Sequence, residues 1–323
     1  SDPIRGFKKI RYLIVCFFNL YTLDYLIKSI GSKKKAKLLA NLIIYGFTVS
    51  TIYAYVSFYF KYDFIKNVAE DIGKRVTGIT GIMNYGYETP IVAFFCLAVG
   101  FYFRKKEKTG LGLLNTLGVV FSGVRGGILS LIGGLPFLVY YHFKKYFKAF
   151  VILCLVCGLS VTIVLVAKGI NPVMISGQRP DSPLSTLVRL KLHQVGFTAL
   201  KDSPVYGHGL LNRKDQYPVN VRYKDQDIDY GGLQICESTY LQVIVDMGLV
   251  GIILYLTFLF YWVKELIQRK DVVTYLLVPS VFGFLLSSLV HTMFISGTTT
   301  AVLISYLYNF SVVGENGIKR LAE

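Results

Sequence analysis

The chain has 323 residues, 53% of them hydrophobic and only 17% charged, with a formal net charge of +16 and a mean hydropathy of +0.51. Soluble domains carry about a quarter charged residues, so the composition excludes a soluble globular domain and points to an all-α, polytopic bundle of transmembrane helices. The basic excess does not indicate nucleic acid, because the lysines and arginines sit in short runs between apolar stretches, where the positive-inside rule places them.

In chain order, about nine candidate spans are read, at roughly 12–30, 37–60, 89–103, 110–123, 126–142, 149–167, 240–263, 272–290 and 295–312. The first contains Asn19 and Asp24 and also suits an interfacial helix. The third to fifth are short for a core of about 30 Å, which implies tilt, breaks or longer true boundaries. Basic residues follow or precede alternate spans: Lys33, Lys34, Lys35 and Lys37; Arg104, Lys105, Lys106 and Lys108; Lys144, Lys145 and Lys148; Lys264, Arg269 and Lys270. All four groups fall on one side, which is therefore read as cytoplasmic. Arg5, Lys8, Lys9 and Arg11 conflict with this unless the first helix is interfacial or another helix precedes it. The expected organisation is one membrane domain: helices over 1–167, an extracytoplasmic loop with an amphipathic helix over 168–239, and helices over 240–323. Of the five cysteines, Cys154 and Cys157 form a CxxC inside an apolar run with no second pair, so they read as small hydrophobes rather than metal ligands.

The long outer loop is the most informative stretch, since structureless loops of that length are rare unless functional. Leu184, Val188, Leu192, Val195 and Ala199 recur at helical spacing, and Arg189 and His193, four apart, share a face. Ser203 to Gly209 (Ser-Pro-Val-Tyr-Gly-His-Gly) is turn-rich, its glycines allowing close backbone approach. Residues 212–232 are polar and read as a solvent-facing flap. Glu237 to Leu241 returns the chain to the membrane, followed by Asp246-Met247-Gly248-Leu249-Val250-Gly251. A second marked site is Ser122-Gly123-Val124-Arg125-Gly126-Gly127, where an arginine in an apolar hairpin is costly and marks a functional site.

Arg125 and Arg189 are both expected at the outer face. Arginine is always charged and its fork matches phosphate oxygens, so the pair suits a diphosphate leaving group. Glu237, at the membrane mouth, suits a general base, and His208 is the alternative base. Each has a plainer alternative: a snorkelling anchor for Arg125, a solvated charge for Arg189, a turn filler for His208, a helix N-terminal carboxylate for Glu237. His193 and Arg179 read as packed or solvated, and His291 as an interfacial polar residue.

These segments together resemble the O-antigen polymerase and O-antigen ligase superfamily of bacterial cell envelopes. The resemblance covers roughly residues 78–263. It rests on Gly78-Ile79-Thr80-Gly81 with Asn84, on the Ser122–Gly126 hairpin, in which Gly123 and Val124 intervene in a Ser-Arg-Gly pattern, on Arg189 followed by Ser203–Gly209, and on Glu237–Leu241 with Met247–Gly251. The resemblance implies a GT-C-like fold and a metal-independent glycosyltransferase with no cofactor. Its donor is a glycan on undecaprenyl diphosphate, and it acts on the periplasmic side of the bacterial inner (plasma) membrane. Arg125 and Arg189 match the family arginines that engage the diphosphate. Gly207, Gly209 and Tyr240 are further expected substrate contacts. Ligases have a histidine where this chain has Glu237, a departure that favours a polysaccharide repeat-unit polymerase over a ligase acting on lipid A–core. A flippase and a chain-length regulator are the protein partners implied. The family's additional spans ahead of the hairpin imply an N-terminal part upstream of Ser1. A non-enzymatic transporter or flippase is the competing class, disfavoured because no internal repeat is evident and the unusual residues cluster at one face.

Overall fold

The structure, a computed structural model, describes residues 32–60, 82–167, 182–209, 217–223, 226–233 and 236–290. The expected spans at 12–30 and 295–312 lie outside these, as do Gly78–Gly81, Arg179 and His291. The remaining expected spans are all helical: α1 (Ser32–Phe60), α2 (Ile82–Tyr102), α3 (Lys106–Ser122), α4 (Arg125–His142), α5 (Phe147–Ala167), α7 (Thr239–Arg269) and α8 (Val272–Ser287). The outer-loop helix is α6 (Ser182–Asp202), and between it and α7 lie strands β1 (Pro218–Tyr223) and β2 (Gln226–Gly232).

The protein is a helical membrane protein. Two described helices, Ala40–Phe60 and Thr239–Arg269, are long and apolar enough to cross a bilayer. Gly126–His142 with Lys144–Val156 adds a third if that pair is one broken span. Gly86–Tyr102 and Val272–Ser287 are apolar but shorter; at 16 residues α8 rises only about 24 Å, less than the hydrocarbon core. Nine full-length spans are therefore more than the described helices supply. On α5, Ile152, Leu153, Leu155 and Leu159 are 60–62% exposed, a stripe that water would not tolerate but acyl chains would.

The chain forms two compact units, one drawn from Lys145–Phe258 and the other from Ile10–Lys144 with Leu259–Glu323. In the second, α2 is the central helix: it packs against α3, α4 and α8, and α4 packs on α8. Residues 86–100 are buried without interruption, with Tyr87, Phe94, Phe95 and Phe284 among the fully enclosed side chains. Hydrophobic burial adds little in lipid, so close backbone approach and interhelical hydrogen bonds do the joining. A Cβ on Gly134 would lie 2.3 Å from the Phe94 ring and 2.5 Å from the Pro279 carbonyl oxygen. Ser280 Oγ donates to the Ile91 carbonyl at 2.9 Å. α1 is tied to α3 by a buried cluster in which Thr51 Oγ1 donates to Asn115 Oδ1 (2.5 Å) and Asn115 Nδ2 donates to Thr48 Oγ1 (3.2 Å). Lys108 caps the same contact, over the Tyr45 ring at 3.8 Å and donating to Asn41 Oδ1 at 3.3 Å. The α1 start thus lies at the α3 start, the end where the basic loops after α2 and α4 also gather.

In the first unit, one face of α6, the β1–β2 hairpin and the first turns of α7 close a small core of Val195, Ala199, Val219, Leu233, Cys236, Leu241 and Val245. Within the polar flap read at 212–232, β1 and β2 pair antiparallel, with Tyr223 opposite Gln226. Alternating Val219 and Val221 point inward, a period-2 signal that the surrounding Asp, Lys and Arg obscure.

Because the α4–α8 approach leaves no room for a side chain, Gly134→Ala is expected to lower stability by about 1–3 kcal/mol, read as a drop in the thermal midpoint in detergent; an unchanged midpoint would contradict this packing.

Candidate active site

The site is organised by a break in α7. At Gly248 the backbone leaves the helix (φ 66°, ψ −164°). The consequence shows in Tyr240 and Tyr255, whose rings meet edge-on at 5.9 Å. On a straight helix residues so placed are about 22 Å apart along the axis, so α7 folds back at Gly248. A broken helix strands backbone N–H and C=O groups, which must be satisfied by protein. The Ser203–Gly209 segment does this. Leu249 N donates to the Pro204 carbonyl (2.8 Å) and Val250 N to that of Val205 (3.3 Å). In the other direction, His208 N donates to the Val245 carbonyl (3.0 Å) and Gly209 N to that of Asp246 (2.8 Å). The approach demands glycine: a Cβ on Gly248 would lie 2.1 Å from the Val205 carbonyl oxygen, and one on Gly207 (φ +68°) 2.5 Å from Gly248 N.

His208 belongs to this splint. Its Nε2 donates to the Ala199 carbonyl at 2.5 Å, and its ring meets Tyr217 edge-on at 5.4 Å, so it ties the loop to the end of α6. Tyr217 in turn donates its hydroxyl to Asp202. The structure therefore groups Gly207, His208 and Gly209 around the helix break, and places Tyr240 against Tyr255.

It brings a different pair together: Arg189 Nε and Glu237 Oε2 are 3.8 Å apart, with side chains 27% and 24% exposed. The separation exceeds a hydrogen bond, so the contact is a charge pairing worth about 0–1 kcal/mol. Arg189, His193 and Gly196 lie on one face of α6 at spacings of four and three. Gly196 lets this face approach the segment that carries Glu237, since a Cβ there would meet Leu241 at 3.2 Å and Cys236 Sγ at 3.3 Å. Glu237 itself sits at φ +53°, a left-handed conformation uncommon for a glutamate and worth about 1–2 kcal/mol of strain. Its neighbours are locked. Cys236 N donates to Gln242 Oε1 (2.8 Å), and Gln242 Nε2 donates to the buried Asp246 Oδ2 (2.7 Å). Gln242 was not singled out from sequence, although Gln242 and Asp246 are four apart in a helical stretch. His193, set aside as packed or solvated, has a buried Nε2 with no hydrogen-bond partner among the described residues.

Arg125 lies in the other unit, as the first residue of α4. The turn before it is built by Gly123, left-handed at φ 63° and donating its N–H to Val120. Buried Ser122 completes it, its Oγ donating to the Val119 carbonyl (2.7 Å) and accepting from Val124 N (3.3 Å). Gly126 and Gly127 pass directly against Tyr87 and the Gly86 carbonyl of α2. This turn closes the end of α3 opposite the basic loops. Among the described residues no group of three or more His, Cys, Asp or Glu is placed to hold a metal ion, and Cys154 is exposed on α5.

Residues 110–256 match the family described as O-antigen ligase. This stretch belongs to the O-antigen polymerase and ligase superfamily. The match runs from early α3 into α7 and so contains the Ser122–Gly127 turn, Arg189, the Ser203–Gly209 splint, Glu237 and the Gly248 break. Members of the O-antigen ligase family are glycosyltransferase-like enzymes that act on lipid-linked glycans in membranes. No curated protein matches the chain.

Two glycine substitutions separate geometry from space. Gly248→Ala, which meets backbone at 2.1 Å, should dislodge the splint and cost more than 3 kcal/mol by the overpacking scale. Gly209→Ala has nothing within 4 Å and should cost only the left-handed penalty of about 1–2 kcal/mol. Thermal unfolding of the two variants checks this, and equal losses would contradict the splint.

Proposed function

We propose that the chain is a polysaccharide repeat-unit polymerase. It transfers a glycan from undecaprenyl diphosphate to the non-reducing end of another lipid-linked repeat unit, on the periplasmic face of the inner membrane. The observation that carries the reading is the pairing of Arg189 with a strained Glu237 inside the matched family domain. A carboxylate kept in an unfavourable backbone conformation, on a segment fixed by Gln242, is the pattern of a group retained for chemistry rather than for stability.

In this mechanism the acceptor hydroxyl attacks the anomeric carbon of the donor as the bond to the diphosphate breaks. Glu237 takes the hydroxyl proton. Arg189 receives the negative charge that collects on the departing diphosphate, and Arg125 is the second arginine assigned to that anion on the strength of the hairpin motif. In the resting enzyme Arg189 is partly neutralised by Glu237 at 3.8 Å. An arriving diphosphate, with more charge and a geometry that accepts the guanidinium fork, competes for that arginine and releases the carboxylate to act as base. His193, beside Arg189, offers a further polar contact to substrate. No metal takes part in this scheme, and a flippase and a chain-length regulator are the protein partners it calls for.

The rival reading is transfer to lipid A–core, favoured by the family's description as O-antigen ligase. Purified protein given a lipid-linked repeat unit, with and without lipid A–core oligosaccharide, decides between them: products longer by whole repeats without the core acceptor support the polymerase, and transfer only to the core overturns it.

Two variants test the roles. Arg189→Ala should lower turnover by about 100-fold or more, on the scale of losing one transition-state donor, and Arg189→Lys should recover only part. Glu237→Gly relieves the φ +53° strain, so its thermal midpoint should match or exceed the wild type while polymerisation is lost. A destabilised but active Glu237→Gly enzyme would make Glu237 structural.

A further inference from the structure

The end of the α2–α4–α8 bundle remote from the Ser122–Gly127 turn holds a cavity of about 430 Å³, walled by Tyr102, Tyr141, His142, Lys270, Asp271 and Tyr275 among others. That volume suits a headgroup-sized ligand. Three observations describe what it would accept.

The first is charge. Arg104 and Lys105 follow Tyr102, Lys144 follows His142, and Arg269 precedes Lys270. The one acidic wall residue is already engaged: Asp271 Oδ2 accepts from Arg269 Nε at 3.0 Å, and its Oδ1 accepts from Thr274 N at 3.2 Å, capping α8. Among the described residues the Lys270 side chain has no ion-pair partner, and so its positive charge is not offset by any of them.

The second is conformation. Lys270 occupies the left-handed position after α7, at φ +50°, where glycine or asparagine is the usual residue. A lysine is thus kept at a conformational cost in the cavity wall.

The third is the lining. Tyr275 meets Tyr102 at 5.6 Å and Tyr141 at 5.3 Å between ring centroids, and His142 Nε2 donates to the Tyr275 carbonyl at 3.1 Å. Tyrosines grouped with lysine at the ends of apolar helices have the composition of an interfacial site, supplying hydroxyl and ammonium donors of the kind that bind anions.

We propose that this cavity binds a phosphate-bearing anion, with the phosphodiester headgroup of an anionic phospholipid as its source in the membrane. The site is separate from the Arg189–Glu237 pair and does not depend on the proposed reaction.

The test uses the full chain in nanodiscs of phosphatidylcholine alone, of phosphatidylcholine with phosphatidylglycerol, and of phosphatidylcholine with soluble glycerol phosphate added. It reads the thermal midpoint and, by native mass spectrometry after extraction, retained lipid. Phosphatidylglycerol should raise the wild-type midpoint and be retained. Lys270→Glu should weaken retention by about tenfold or more, the equivalent of one good charged contact. Lys270→Gly relaxes the left-handed residue, so its midpoint in phosphatidylcholine should equal or exceed the wild type while the phosphatidylglycerol response is lost, which separates ligand loss from misfolding. A saturable response to glycerol phosphate alone would support the same site with a free anion as its ligand. The proposal is overturned if the wild type responds to neither anion, if both Lys270 variants respond as wild type, or if Lys106→Glu, outside the cavity, loses as much as Lys270→Glu.

Discussion

The α7 break at Gly248 is the constraint on which the Lys145–Phe258 unit depends. Backbone donors and acceptors freed inside or beside hydrocarbon cost several kcal/mol each if left unpaired. Four of them are answered by one short loop, through Leu249, Val250, Val245 and Asp246. That obligation fixes the Ser203–Gly209 loop on α7, and His208 fixes the same loop on the end of α6. α6 is therefore anchored at its C-terminal end to the helix that Glu237 precedes, and Arg189, about three turns earlier on α6, comes to Glu237 as a result. The glycine-rich segment acts through its backbone, as the brace that holds this arrangement together.

Two kinds of economy follow from a lipid surround. In the helical unit with α2 at its centre, small residues and a few hydrogen bonds replace hydrophobic contrast as the joining force: Gly134 against Phe94 and Pro279, Ser280 to Ile91, Asn115 to Thr48 and Thr51. In the Lys145–Phe258 unit, ordinary burial joins α6, the hairpin and the first turns of α7, where Val195, Ala199, Val219 and Leu233 form a core like that of a small soluble domain. Three charged residues among those described hold a left-handed backbone, each beside a helix end: Arg104 after α2, Glu237 just before α7, and Lys270 just after it.

Much of this was readable. Apolar run length placed α1 to α5, α7 and α8, and the spacing of Val188, Leu192, Val195 and Ala199 marked α6. Arg125 stood out as a charge where charge is costly, Arg189 as a phosphate-matching fork on the loop helix, and Glu237 as a carboxylate where the chain returns to the membrane. The hairpin was not read, because Val219 and Val221 are outnumbered by polar neighbours and short-range alternation is weak over six residues. The Gly248 break was not read either: Met-Gly-Leu-Val-Gly is as apolar as the span around it, and a glycine's φ is not written in its identity. Gln242, which holds the Glu237 segment, looks like any polar residue near a helix start.

Composition and the order of apolar and basic runs were enough to establish a helical membrane protein and to single out candidate residues in one long loop and one tight turn, because partitioning into lipid depends on local composition. Which carboxylate meets which arginine was decided only by tertiary structure. That pairing depends on how two backbone segments close their hydrogen bonds around a helix break, and those partners lie some forty residues apart in the chain.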